Sequence, residues 1–263
     1  MTSGKKDPAI ISVQLYSLRA MPDPAARLRL VASNGLGHVE TAAGDYADPA
    51  GLRRLLEESG LSAPSGHYGI SALRDRFDWV VETAHTIGQK FVIVWGLPEN
   101  EHWPHPEGWA RAGAELGRLA DRLRDCGLGF AFHNHDWELQ RFADGRLALD
   151  VLFDAAAGSS LRFQPDLAWI ARGEQDPMAI LARHASKVIA CHVKDLAPPG
   201  ENSDEEGWAD LGDGVLPWNE LWPAARAAGA RLMVLEHDAP RDPARFLARS
   251  AAAARALAQR AAG

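Results

Sequence analysis

Eight short runs rich in apolar and β-branched residues punctuate the chain: Ile10 to Leu15, His38 to Thr41, Leu61 to His67, Phe91 to Trp95, Leu128 to His133, Leu161 to Asp166, Lys187 to Val193 and Arg231 to Glu236. A longer segment with helical apolar spacing follows each. Phe91-Val92-Ile93-Val94-Trp95 and Leu232-Met233-Val234-Leu235 have no polar face, as expected of strands buried on both sides in a parallel sheet. Helix starts are signalled by Pro22-Asp23-Pro24, Asp48-Pro49, Ser71 before Ala72, Asp176-Pro177 and Asp242-Pro243, where a capping or small residue meets the first turn. Gly35, Gly60, Gly88, Gly127 and Gly229 stand where helices should stop, each just ahead of the next strand.

Strand, loop, capped helix and glycine recur about every 30 residues, the size of a βα module. Strict alternation predicts a parallel sheet. Eight modules favour a single-domain α/β fold over residues 1–263, a closed (β/α)8 TIM barrel, over an open doubly wound sheet with its five or six strands and glycine-rich first turn. Leu196 to Pro217, rich in Pro, Gly and acids, is expected to be an active-site loop, because both flanks continue the module. The Ala-rich tail from Phe246 to Gly263 reads as a last amphipathic helix outside the barrel.

Composition narrows the function. With 263 residues, 46% hydrophobic and 24% charged, the chain has the make-up of a packed soluble protein. A net charge of −7 argues against nucleic acid as a partner, since phosphate contact needs a basic surface. Cys126 and Cys191 lie far apart without a CxxC pair, so neither a disulfide framework nor a cysteine zinc site is indicated, and a reducing cytoplasmic setting is expected. Met1 to Pro8 carries Lys5 and Lys6 but no apolar export segment follows. No run approaches the ~18 apolar residues of a membrane span, so no membrane partner is expected. Gly35-Leu36-Gly37 lacks the third glycine of a dinucleotide fingerprint, and the chain has no GxxxxGK[ST], HExxH or GxSxG motif.

In a barrel the chemistry gathers where strands end. Polar residues stand there: Glu40 after the second run, His67 at the end of the third, Trp95 after the fourth, and His133-Asn134-His135-Asp136-Trp137-Glu138 after the fifth. Asp166 ends the sixth, His192 lies in the seventh ahead of Lys194 and Asp195, and Glu236-His237-Asp238 closes the eighth. His133, Asp166, His192 and Glu236, from four successive strands, can form a mixed imidazole–carboxylate site for Mn²⁺, Zn²⁺, Co²⁺, Fe²⁺ or Mg²⁺. Such an ion suits charge stabilisation on a carbonyl or enediolate oxygen while Glu236 or Glu138 moves a proton on the adjacent carbon. Blander readings compete: Asp166 as a helix cap, His192 as a buried core histidine, Lys194 as a surface partner of Asp195, and Asp204-Glu205-Glu206 as a solvated loop face. Glu236 resists one, because an acid ending an apolar strand must find a cation or a strong donor. His133 and His135 share a face by strand periodicity, with Asn134 turned to the wall.

The runs Phe132-His133-Asn134-His135-Asp136-Trp137-Glu138, Asp166-Leu167-Ala168-Trp169, His192-Val193-Lys194-Asp195, Gly212-Asp213-Gly214-Val215-Leu216-Pro217-Trp218 and Leu235-Glu236-His237-Asp238 resemble the sugar phosphate isomerase/epimerase family, within the xylose isomerase-like TIM barrel superfamily. The likeness runs from Val13-Gln14-Leu15-Tyr16-Ser17-Leu18 to the last helix. It implies a divalent metal held by Asp166, His192 and Glu236. Many members carry a glutamate at the end of strand five where this chain has His133, as the HNHD-type branch does. The fourth position then falls to His133, to Glu138 reaching in, or to no protein group, with His133 the expected ligand. The resemblance further implies Glu236, His135 and Lys194 as proton-transfer or substrate groups, and Glu40, His67, Trp95, Trp137 and Glu138 along a sugar pocket. The expected activity is a metal-dependent isomerase, epimerase or dehydratase working beside the carbonyl of a sugar, keto-sugar or inosose. The alternative is a sugar-binding barrel with a degenerate metal site and no turnover. Homo-oligomer formation stays open.

Overall fold

Period-two alternation decides which side chains enter the barrel. In β10 (Leu232–Leu235), Met233 and Leu235 join the large core shared with the helices, while Leu232 and Val234 form a small separate cluster with Ala190 of β7 (Ala190–Val193). The inward phase continues to His192 and Glu236. The same phase sets β1 (Ile10–Gln14), whose Val13 faces the helices while Ser12 and Gln14 face in, and β2 (His38–Thr41), whose Val39 faces out and Glu40 in. In β5 (Gly129–His133), Phe130 and Phe132 pack outward, leaving Ala131 and His133 inside.

A computed structural model describes residues 9–262. Met1 to Pro8, read above as lacking an export segment, lies outside the described residues, as does Gly263. With β3 (Ser62–Tyr68), β4 (Phe91–Val94) and β6 (Arg162–Gln164), the strands form one parallel sheet of eight in the order β6-β5-β4-β3-β2-β1-β10-β7. Parallel bridges Phe163–Val188 and Asp166–His192 bring its two edges together, giving a nearly closed TIM barrel. Strand β6 is short because Pro165 has no N–H to give, although its carbonyl still accepts from the His192 N–H at 2.9 Å.

The connecting helices are α1 (Pro24–Ser33), α2 (Pro49–Glu58), α3 (Ile70–Asp75), α4 (Phe77–Ile87), α5 (Pro106–Asp125), α6 (Ala148–Ala155), α7 (Leu167–Arg172), α8 (Pro177–His184), α9 (Trp218–Ala228) and α10 (Pro243–Ala262). Asp23, Asp48 and Asp176 accept first-turn amide hydrogens, with proline in the first turn. The five expected stop glycines all have positive φ, the conformation that lets a helix end without a Cβ clash. Ser71 does not cap. Helix α3 starts two residues earlier than expected, at Ile70 after Gly69, which has no side chain to offer. α5 and α6 pack closely across Gly113, whose missing Cβ makes room for the Leu152 carbonyl. The expected loop from Leu196 to Pro217 folds back on a two-stranded antiparallel hairpin, β8 (Asp195–Leu196) with β9 (Trp208–Ala209). Among the described residues no helix is long and apolar enough to cross a membrane.

Candidate metal centre and active site

At the carboxyl ends of β5, β6, β7 and β10, ligand atoms of His133, Asp166, His192 and Glu236 all lie within 4.8 Å of one another, and all four residues are buried. The elements explain the convergence. His133 is the last residue of β5. Asp166 follows the Pro165 break, His192 keeps the inward phase of β7, and Glu236 continues that of β10 one residue beyond its end. Asn134 turns to the wall: its Oδ1 accepts from the Asp166 N–H at 3.0 Å and ties the ends of strands five and six together.

Asp166 divides its two oxygens. Oδ1 accepts from the backbone N–H of Ala168 (3.0 Å) and Trp169 (2.9 Å), so it caps α7. Oδ2 is buried and met by the Lys194 ammonium at 3.0 Å, while Nδ1 of His133 is buried without a hydrogen-bond partner. The cap reading and the ligand reading describe different atoms of the same carboxylate. A buried carboxylate oxygen already facing a cation, beside an unpartnered imidazole nitrogen and with two more N/O ligand atoms within 4.8 Å, has the mixed imidazole and carboxylate character of a cation site. The residues present therefore fit a divalent ion. Among the described residues the cluster of four does not include Glu138.

Beneath the cluster lies Glu40, expected along the sugar pocket but fully buried under it. Its Oε1 accepts from Gln14 Nε2 (3.0 Å) and lies 2.6 Å from His192 Nε2 and 3.0 Å from His67 Nε2. Its Oε2 accepts from Ser65 Oγ (2.6 Å) and Gln164 Nε2 (2.8 Å). Burial alone would raise this carboxyl, but the facing His67 and His192 hold it well below the usual range. His192 also lies 2.8 Å from Glu236 Oε2 through Nδ1. Burial disfavours its charged form, yet the carboxylates of Glu236 and Glu40 on either side win and push it up to about 10. His67 reaches Gln164 Oε1 at 2.8 Å and stacks on the His192 ring, 5.1 Å between centroids.

Lys194 is not a surface partner of Asp195. It is fully buried, with Nζ 3.0 Å from Asp166 Oδ2, 3.0 Å from Glu236 Oε2 and 2.6 Å from Asp238 Oδ2, and it lies over the rings of Trp208 and Trp169. Burial would lower its pKa, but Asp166, Asp238 and Glu236 hold the ammonium above its ordinary value. Burial would likewise raise the Glu236 carboxyl; Lys194 and His192 keep it well below the carboxylate range. The expectation that Glu236 needs a cation or strong donor is met by both.

Around this centre a cavity of about 560 Å³ is walled by Trp95, Trp137, Trp169 and Tyr16, with His67, His133, His135, Glu236 and Asp238 also reaching it. Glu138 and Lys194 are not among its lining residues. His135 stacks on Trp137, 4.2 Å between centroids, and burial, aided by the Lys194 charge, lowers its pKa to about 3. Glu138 is buried behind it. Its Oε2 accepts from the His135 N–H at 2.8 Å, its Oε1 is unpartnered, and burial pushes its pKa up to about 8.

Asp238 and Arg19 were not singled out from sequence, and Glu205 and Asp195 have other partners than expected. Asp238 clasps Lys194; its signal was a spacing of two from Glu236, which returns it to the same face. Arg19 lies at the mouth over the Tyr16 ring, 3.8 Å from its centroid, in a short turn that carries no motif. Glu205 is not solvated: Arg245 Nη2 donates to both its oxygens, at 2.8 and 3.0 Å, and the Arg241 N–H donates to Oε1 at 2.7 Å. Asp195 accepts from the N–H groups of Leu196, Gly212 and Leu216, each at 3.0 Å.

Comparison with known proteins agrees with this architecture. Residues 28–259 match the xylose isomerase-like TIM barrel family. An inosose dehydratase from Lacticaseibacillus casei is 24% identical over 188 residues, a match covering 61% of each chain, so the chain spans about three fifths of that relative's length. A sugar phosphate isomerase/epimerase from Parabacteroides distasonis superposes with a TM-score of 0.73 at 20% identity, over 92% of this chain and 96% of that one. The IolI protein, solved with a bound zinc atom, superposes with a TM-score of 0.75 at 13% identity, over 95% and 98%. By the extent of the family match, on a barrel whose strand ends carry the expected polar residues, the chain belongs to the xylose isomerase-like TIM barrel family.

Proposed function

We propose that this chain is a metal-dependent isomerase, epimerase or dehydratase that removes a proton beside the carbonyl of a sugar, keto-sugar or inosose. The observation that carries the reading is the meeting of His133, Asp166, His192 and Glu236 within 4.8 Å, with Nδ1 of His133 unpartnered. The similarity to an inosose dehydratase and to a sugar phosphate isomerase/epimerase points to the same substrate class.

His133, Asp166, His192 and Glu236 would hold a divalent ion, which would supply charge stabilisation for adjacent carbonyl and hydroxyl oxygens. The remaining work falls to side chains. Glu40, by engaging Nε2 of His192, orients the ring so that Nδ1, 2.8 Å from Glu236 Oε2, would be the nitrogen offered to an ion. Glu236, stabilised as an anion by Lys194 and His192, makes a good ligand and a poor base. His135 borders the cavity with its Nδ1 free of hydrogen bonds, so by position it is the group placed to take a proton from the carbon next to the carbonyl. With a pKa of about 3 it is as weak a base as Glu236, and the step depends on the acidity that a bound ion would give that carbon. The electron pair moves to the carbonyl oxygen. Returning the proton to a neighbouring carbon or to the opposite face gives isomerisation or epimerisation, and loss of hydroxide, protonated as water, gives dehydration. Lys194, absent from the cavity lining, acts on the site through Asp166, Glu236 and Asp238, to which its ammonium is paired. The Trp95, Trp137 and Trp169 rings offer apolar faces on which a sugar or inosose ring stacks, while water is kept off the reacting carbon.

The test combines metal analysis of freshly purified protein with solvent deuterium exchange on an inosose and a ketohexose, followed by NMR. A stoichiometric ion and deuterium entering beside the carbonyl, both lost in Asp166→Ala, are expected. Full exchange without an ion overturns the proposal. A metal-free protein that binds the sugar without exchange identifies the non-catalytic alternative.

A further inference from the structure

A lysine ammonium with no exposed surface is paired with one oxygen on each of the two carboxylates of the four-residue cluster. Lys194 Nζ is 3.0 Å from Asp166 Oδ2 and 3.0 Å from Glu236 Oε2, and a third carboxylate, Asp238 Oδ2, approaches from the cavity side at 2.6 Å. The side chain cannot withdraw to water. Trp208 and Trp169 flank it, Trp208 fully buried, and the Trp218 indole N–H donates to the Lys194 carbonyl at 3.1 Å, fixing the backbone. A cation held this close opposes a dication on shared ligands, and burial leaves little solvent to screen the repulsion. Asp238 is the one member of the trio that lies outside the four-residue cluster, so it can hold the ammonium without competing for the ion.

We propose that Lys194 sets the metal affinity of this centre: its ammonium shares Asp166 Oδ2 and Glu236 Oε2 with the ion, and Asp238 is the counter-charge that draws it aside when the ion is loaded. This rests on the metal-site reading above. Lys194 thereby holds the site in a weaker, exchangeable range, and with the ion loaded it stays paired with Asp238.

The probe is Zn²⁺ alone, titrated into the full chain against a chromophoric chelator, with thermal unfolding as a second readout. Lys194→Met should bind Zn²⁺ about tenfold more tightly than wild type or better, and zinc should raise its Tm by more than it raises that of wild type. Lys194→Gln replaces the Met variant if the latter does not fold. Asp238→Asn should weaken Zn²⁺ binding several-fold in the wild-type background and much less in the Lys194→Met background, a coupling that loss of bare charge would not give. Equal or weaker binding by the position-194 variant overturns this inference while leaving the metal site standing. Equal losses from Asp238→Asn in both backgrounds overturn the role of Asp238. No zinc binding by any of the proteins overturns the site reading and this inference together.

Discussion

Glu40 Oε1 lies 2.6 Å from Nε2 of His192, a contact between residues 152 positions apart. It makes the barrel floor an instrument of the centre above it, because whichever proton His192 carries on Nε2 determines whether Nδ1 is free to coordinate. Glu40→Gln replaces the anion with an amide that cannot accept from all the surrounding donors. Zinc affinity should fall about 10- to 100-fold, read by chelator competition. Unfolding should show a loss on the order of 1–3 kcal/mol from broken buried hydrogen bonds. Unchanged zinc affinity would mean that the contact does not orient His192.

The divided carboxylate of Asp166 can be taken apart by mutation. Asp166→Asn retains an oxygen that accepts from the Ala168 and Trp169 N–H groups, whereas Asp166→Ala retains neither cap nor ligand. Both variants should lose the metal. The alanine variant should be less stable than the asparagine variant by about 1 kcal/mol, the usual worth of an N-cap, measured by urea denaturation of metal-free protein. Equal stabilities would remove the cap from the account.

Glu138 gives the pH prediction. Its carboxyl stands near pH 8 in the folded chain because of burial, against an ordinary value of 4.5. Between those values the folded form holds a proton that the unfolded chain releases, so stability contributed below about pH 4.5 drains away as pH rises toward 8. Glu138→Gln is permanently neutral and keeps an oxygen for the His135 N–H. The stability of the variant relative to wild type should grow by about 1 kcal/mol or more between pH 5 and pH 8, followed by urea denaturation. A difference independent of pH would show that Glu138 is ionised in the fold.

Far from the centre, Gly113 tests the helical layer. A Cβ there would fall inside contact distance of the Leu152 carbonyl, which is backbone and cannot swing away. Gly113→Ala should push α5 from α6 and cost roughly 1–3 kcal/mol in denaturation, with zinc affinity unchanged. A variant as stable as wild type would show that the two helices can part without loss.

Much of this was legible in the chain because period two is a local rule. Alternation through Leu232 to Glu236 and Ala190 to His192 sends both candidate ligands inward, and the capping aspartates and stop glycines mark the module boundaries within a few residues. What was not legible depends on partners distant in sequence. Nothing in His38-Val39-Glu40-Thr41 says that Gln14, Ser65, Gln164, His67 and His192 will close over its glutamate. Lys194 beside Asp195 invites a local ion pair; the structure instead turns Asp195 to backbone amides and sends the lysine across the barrel mouth. Glu205 looked solvated because Arg245, forty residues later, is invisible from Asp204-Glu205-Glu206. Ser71 failed as a cap because Gly69, with extended backbone, starts the helix sooner.

The excursion from Leu196 to Leu216 is drawn shut at its neck by Asp195 and clasped near its tip by Glu205 and Arg245. A strand of chain sewn down at both places behaves as a fixed bank of the cavity, with Glu206 set into its rim. For the function proposed above, a ligand entering beside Tyr16 and Arg19 would then need no rearrangement of this segment.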